Sequence, residues 1–263
     1  MKCCEQIVRP RLEILILYVE NNTILQNLSL SLDRFLPIRM IMKYLIFTIF
    51  SLLYSTILHT SESEYHDIVI KGWRILIDTS VERDTPKELE VTLRLLREKL
   101  KQVEIRVPQH KLILLKQTTI WINNQTGIGM SYHDSAKWLK NHGRNPKMAH
   151  SIEMRNISDF NRRKDTHPMA LMHELAHGLH DKLGFDNQDV IKAYENAIKN
   201  KLYFDVTRYD GFRGKAYALT DHREYFAELT EAFFGKNDWY PVTKSELKIY
   251  DPVGYQLMEK YWE

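Results

Sequence analysis

The sequence predicts an α+β domain with a small mixed sheet followed by a mainly helical part. Two observations predict it. Segments rich in Ile, Val and Leu lie in the first half of residues 61–263, and helical spacing dominates from Thr166 onward. No repeat or low-complexity linker interrupts that stretch, so one domain is expected. The whole chain has 263 residues, 44% apolar and 27% charged, with a formal net charge of +3. Such values exclude a disordered chain and a multi-span membrane protein. They also argue against nucleic acid as a partner, which calls for a marked basic excess.

The first 60 residues stand apart. Lys43 precedes residues 44–58, fifteen uncharged and mostly apolar positions, and the polar run His59-Thr60-Ser61-Glu62 ends them. A positive flank, an apolar run and a polar break resemble a secretory signal peptide. The run is shorter than the roughly 20 residues that a membrane-spanning helix needs. Residues 40–60 are therefore expected to be a signal peptide, with Met40 or Met42 as the true start and residues 1–39 an upstream extension. The mature domain would be 61–263, and its location secreted, or extracellular. A membrane association is expected only if residues 44–58 persist as an uncleaved anchor. Both cysteines, Cys3 and Cys4, fall in the removed part. A chain of about 200 residues buries an adequate core without disulfides.

Residues 68–77 read as one or two strands. Asp84-Thr85-Pro86 offers a helix start, and Leu89, Leu93, Leu96 and Leu100 carry helical spacing to about Val103. Residues 111–122 read as a strand pair or one long strand, 123–129 as a turn and 134–141 as a short helix. Residues 149–157 read as another strand. Residues 161–164 (Asn-Arg-Arg-Lys) read as a solvated turn, and the late aromatics, including Trp239, Tyr255 and Trp262, as core or interface.

The chemistry sits in the next helix. Thr166 or His167 can cap it, Pro168 suits its first turn and Gly184 its end. It carries His173-Glu174-Leu-Ala-His177. Four residues apart on a helix, both imidazoles project from one face and can fill two corners of a zinc tetrahedron. Glu174 is angled away from them and can serve as general base toward a water activated at the metal. Chance would place such a motif about 0.03 times in a chain of this composition, so it carries weight.

A catalytic zinc takes three protein ligands and keeps one position open. A third His six residues after the second is excluded, because Leu183 stands there. His180 is a poor third ligand on the same straight helix. A second helix, capped by Asp221, carries Glu224 and Glu228 at i, i+4. Like charges at that spacing repel, which suggests a cation or His partners. One carboxylate can bind the metal while the other accepts the N–H of a ligand histidine.

With Tyr217 seven residues before Glu224-Tyr-Phe-Ala-Glu228, the chain resembles the gluzincin metallopeptidases of the anthrax lethal factor and Pro-Pro endopeptidase type. The resemblance covers roughly residues 148–235. It implies a zincin-like fold and a zinc endopeptidase acting on a protein or peptide substrate. It implies His173, His177 and Glu224 as zinc ligands and Glu174 as general base. Tyr217 would steady the oxyanion and Glu228 would support the ligands from behind. His222 is a lesser candidate for the oxyanion. Two other readings compete. A zinc-bearing binding module needs neither Glu174 nor Tyr217, and a structural zinc site needs a fourth ligand such as His180. Residues 149–156 are expected to form either the substrate-binding edge strand or an interior strand, and residues 205–215 a flap or plain loop.

Overall fold

The computed structural model describes residues 65–263. The signal segment and the upstream extension lie outside the described residues. Strands β1 (Tyr65–Ile70) and β2 (Trp73–Asp78) form an antiparallel hairpin. Its two turn residues, Lys71 and Gly72, both have positive φ (55° and 83°), which a two-residue hairpin of the primed type requires. Trp73, Ile75 and Ile77 point into the core, as strand alternation dictates.

Three helices then return the chain to the sheet. Asp78 caps α1 (Thr79–Asp84) by accepting from Ser80 N at 2.8 Å. Pro86 opens α2 (Pro86–Arg106), which buries Leu89, Thr92, Leu96, Leu100 and Val103 on one face. Helix α3 (Gln109–Leu115) occupies much of the stretch expected to be strand. The reason is spacing: Leu112 and Leu115 are buried three residues apart, while Ile113 between them is exposed. Only β3 (Ile120–Ile122) is extended there.

Strand β4 (Met130–His133) follows the expected turn, α4 (Ala136–Asn141) the expected short helix, and β5 (Ser151–Met154) comes next. The sheet order is β1-β2-β3-β5-β4. Strands β2, β3 and β5 are parallel, and β4 runs antiparallel to β5. Of the two readings of residues 149–156, the edge strand is corrected and the interior strand holds. All four residues of β5 are buried between two neighbours, and β4 is the edge.

A buried polar knot fastens β4 and β5. Glu153 accepts from Asn123 Nδ2 at 2.6 Å, pairs with His133 Nε2 at 2.7 Å and takes an Arg144 guanidinium N–H. Burial opposes its charge, but these three partners outweigh burial and hold its pKa down at about 2, against an ordinary 4.5. A depressed folded-state pKa contributes stability that is complete above about pH 4.5 and is lost as pH falls towards about 2. Replacing Glu153 by Gln should cost on the order of 3 kcal/mol at pH 7 and flatten the acid limb of a pH–stability curve measured by denaturant unfolding.

After α5 (Ile157–Arg162) the chain is mainly helical: α6 (Ala170–Leu183), α7 (Gln188–Lys199), α8 (His222–Phe234), α9 (Lys244–Tyr250) and α10 (Pro252–Trp262). A short hairpin, β6 (Val206–Thr207) with β7 (Arg213–Gly214), interrupts them. The expected cap of α6 is corrected. The helix starts at Ala170, its N-cap is Met169, and no side chain caps it. Gly184 ends α6 with φ 86°, as expected. Helix α6 lies against both β4 and α8. Gly178 permits that approach, since a Cβ there would come within 3.2 Å of Thr118 Oγ1 and the Tyr132 ring. Among the described residues no helix is long and apolar enough to cross a membrane.

Candidate metal centre

Helix α6 turns Leu171, Leu175, Ala176 and Leu179 into the core. That orientation presents His173, Glu174 and His177 to a cleft of about 640 Å³. Helix α8 forms the facing wall. Asp221 caps it as expected, accepting from Arg223 N at 2.8 Å and Glu224 N at 3.0 Å. The cap fixes the first turn and so fixes where Glu224 stands.

His173 Nε2 lies 3.0 Å and His177 Nε2 3.4 Å from Glu224 Oε2. One donor atom from each of the three residues lies within 4.8 Å of the others. Zinc bonded to N and O at about 2.0–2.1 Å in a tetrahedron holds its ligands about 3.3 Å apart, so the donor set fits one such ion. The electrostatics agree. Burial opposes charge on Glu224, but hydrogen bonds from His173 and His177 depress its pKa strongly. Burial likewise opposes protonation of His173, yet Glu224 and Glu231 raise its pKa well above the ordinary 6.5. A site that draws positive charge between two imidazoles and a carboxylate suits a cation.

Glu231 was not legible as a participant in the sequence. Its Oε1 is 2.8 Å from His173 Nδ1, whereas Glu228 Oε1 is 3.8 Å away. Glu231, seven residues after Glu224 on the same face of α8, thus makes the shorter contact to His173, and Glu228 stands behind it at the longer distance. The far end of the His173 ring reaches that second turn. Accepting the Nδ1 proton leaves Nε2 free for the donor cluster. Glu231→Gln should weaken zinc binding about 10–100-fold in a chelator competition, and Glu228→Gln should weaken it less.

Glu174 Oε2 accepts from Tyr132 N, the backbone of edge strand β4, at 2.7 Å. Tyr132 in turn donates its hydroxyl to Asp181 on α6 at 2.6 Å, so strand and helix are tied at two points. Tyr217 follows the β6–β7 hairpin in a single 3-10 turn, Tyr217–Leu219. Its ring centroid is 6.3 Å from that of His173. Burial, and then the charge of Glu224, push its phenol up to about 12, so it is a hydrogen-bond donor at neutral pH. Thus His173, His177, Glu224, Glu174 and Tyr217 all line one cleft.

The lesser candidates go elsewhere. His222 Nε2 is 2.7 Å from Phe185 O, away from any oxyanion role. His180 stands outside the donor group. It is buried against Phe185, His222 and Phe226, and neither ring nitrogen has a partner. Burial, then the charges of His222 and His177, lower its pKa to about 3, so it is a neutral core histidine. The stretch expected as a flap is the β6–β7 hairpin. Backbone bonds from Tyr209 N to Asp238 O (2.7 Å) and from Tyr240 N to Thr207 O (2.9 Å) fasten it to the loop after α8. These bonds set Arg208 and Trp239 in the cleft wall. Trp262, by contrast, is core, donating to Thr230 Oγ1 at 3.0 Å.

No family model, curated protein or solved structure matches this chain. A mixed α/β half and a helical half enclose a His/Glu cluster suited to a single metal ion.

Proposed function

We propose that this chain is a zinc-dependent endopeptidase of the gluzincin kind, with a zincin-like fold, acting after secretion on protein or peptide substrates. The observation that carries the reading is convergence. The donor set His173, His177 and Glu224 shares a cleft with Glu174, a carboxylate outside the donor group and one residue from His173, and with a protonated phenol, Tyr217. A mere zinc-binding scaffold needs neither of the last two.

His173, His177 and Glu224 would hold the ion. Bound there, zinc supplies Lewis acidity: it lowers the pKa of water towards about 7 and polarises a carbonyl. Glu174 takes the proton of the attacking water and passes it to the leaving nitrogen. Its bond to Tyr132 N holds it at the edge strand, where an extended peptide lies. Strand β4 pairs with β5 on one side only, and Met130, Ser131 and Tyr132 line the cleft. Pairing with that edge binds a peptide through its backbone and orients the scissile bond. Tyr217 donates its hydroxyl proton to the carbonyl oxygen as negative charge develops there.

Tyr217→Phe should lower kcat by about 10²–10³-fold, checked by steady-state cleavage of a peptide. The proposal as a whole is tested on an unfolded protein or peptide pool. Cleavage should stop with a chelator and return with zinc. A zinc-loaded protein that cuts nothing in such a pool would contradict it.

A further inference from the structure

We propose that the acidic floor of the cleft, Glu228, Glu231 and Asp238, receives the positively charged end of a Lys or Arg side chain next to the scissile bond. The proposal deepens the peptidase reading and rests on it for the word substrate. Three carboxylates line the same cavity, with side-chain exposures of only 5%, 8% and 14%. Glu228 Oε2 is enclosed and has no hydrogen-bond partner. Buried carboxylate oxygens without partners are costly and therefore rare.

The chain itself offers few donors there. His173 has one Nδ1 proton, and Glu231 at 2.8 Å is the nearer acceptor. His167 lies 3.6 Å from Asp238. Among the described residues no Lys or Arg pairs with any of the three carboxylates. Lys99, Arg163 and Arg208 on the cleft wall have their close partners elsewhere. Lys99 donates to Pro168 O at 2.8 Å, Arg163 lies 3.8 Å from Asp159, and Arg208, whose charge is felt at Asp238, pairs closely with Asp210 at 2.6 Å. A cationic N–H donor arriving from outside gives Glu228 Oε2 the partner that the chain does not.

A second metal ion is the other occupant to consider, since His173, Glu228 and Glu231 also form a compact donor group. It would need His173 Nδ1 as a ligand while Nε2 faces the first cluster. A neutral imidazole has only one free lone pair, so it cannot serve both. An organic cation needs no ligand nitrogen, only acceptors. The floor lies beside the Nδ1 edge of His173, across that ring from Glu224. A four- or five-atom side chain starting near the cluster spans that depth, with Leu171 and Trp239 as apolar wall for its stem. The cations at the rim, Lys164 and Lys215, face solvent, where salt screens them more than it screens the buried floor.

The test uses matched peptides carrying Arg or citrulline at one position, equal in shape and different in charge. Cleavage by the wild-type protein should favour Arg by about 10–100-fold in kcat/KM, and Glu228→Gln should bring the ratio close to one. Asp238→Asn, on a loop, should reduce the ratio in part, and it serves if Glu228→Gln does not fold. Binding of the same pair to zinc-loaded Glu174→Gln protein, read by fluorescence anisotropy, gives the preference without turnover. Equal handling of Arg and citrulline would overturn the proposal. So would two zinc ions per chain that fall to one in Glu228→Gln. If nothing is cleaved but Arg still binds better through Glu228, the peptidase reading fails and the cation pocket stands.

Discussion

Replacing Glu174 by Gln is expected to lower kcat by about 10²–10⁴-fold and to leave the zinc content unchanged. The two halves of this result have separate causes. Glu174 is not in the donor group of His173, His177 and Glu224, so metal binding does not depend on it. It does reach from α6 to the backbone of β4, accepting from Tyr132 N at 2.7 Å. Gln keeps an acceptor for that N–H, so the edge strand stays in register and KM changes little. What Gln lacks is the ability to take a proton. Steady-state kinetics with metal analysis on one preparation checks both halves. A variant that turns over at the wild-type rate would remove Glu174 from the mechanism.

Replacing Glu224 by Ala is expected to have an equally large effect by a different route, through loss of the ion. A four-ligand zinc site is worth about 10–16 kcal/mol, or about 3 kcal/mol per ligand, so one lost ligand weakens binding about 10²–10³-fold. Charge adds to this. Glu224 reaches both imidazoles, at 3.0 Å from His173 and 3.4 Å from His177, and its ionisation is strongly favoured by them. The helix should survive, because Asp221 rather than Glu224 caps α8. Activity should return at high zinc if the fold is intact.

Much of this site was legible because it is local. The i, i+4 spacing of His173 and His177 follows from helix geometry alone, and so does the capping of α8 by Asp221. Tyr217 and Glu224 are joined by one short turn. What stayed hidden depends on how elements meet. Glu231 touches His173 only because α6 and α8 lie against each other at that height, which no spacing within α8 reveals. Strand order is equally nonlocal: β5 precedes α6 in sequence, but β4 inserts beside it as the edge. Four residues with two polar side chains are too short a strand to stand out. Helix α3 differs from the expected strand because a short run of Leu and Ile suits either periodicity until burial selects one. The acidic floor needed both effects, since α8 supplies Glu228 and Glu231 while the following loop supplies Asp238.

The most direct measurement is zinc per chain in purified wild type and Glu224→Ala, side by side, by elemental mass spectrometry. The donor geometry predicts close to one zinc in the wild type and a small fraction of that in the variant. No zinc in the wild type, or the same zinc in both, would contradict a centre built from His173, His177 and Glu224.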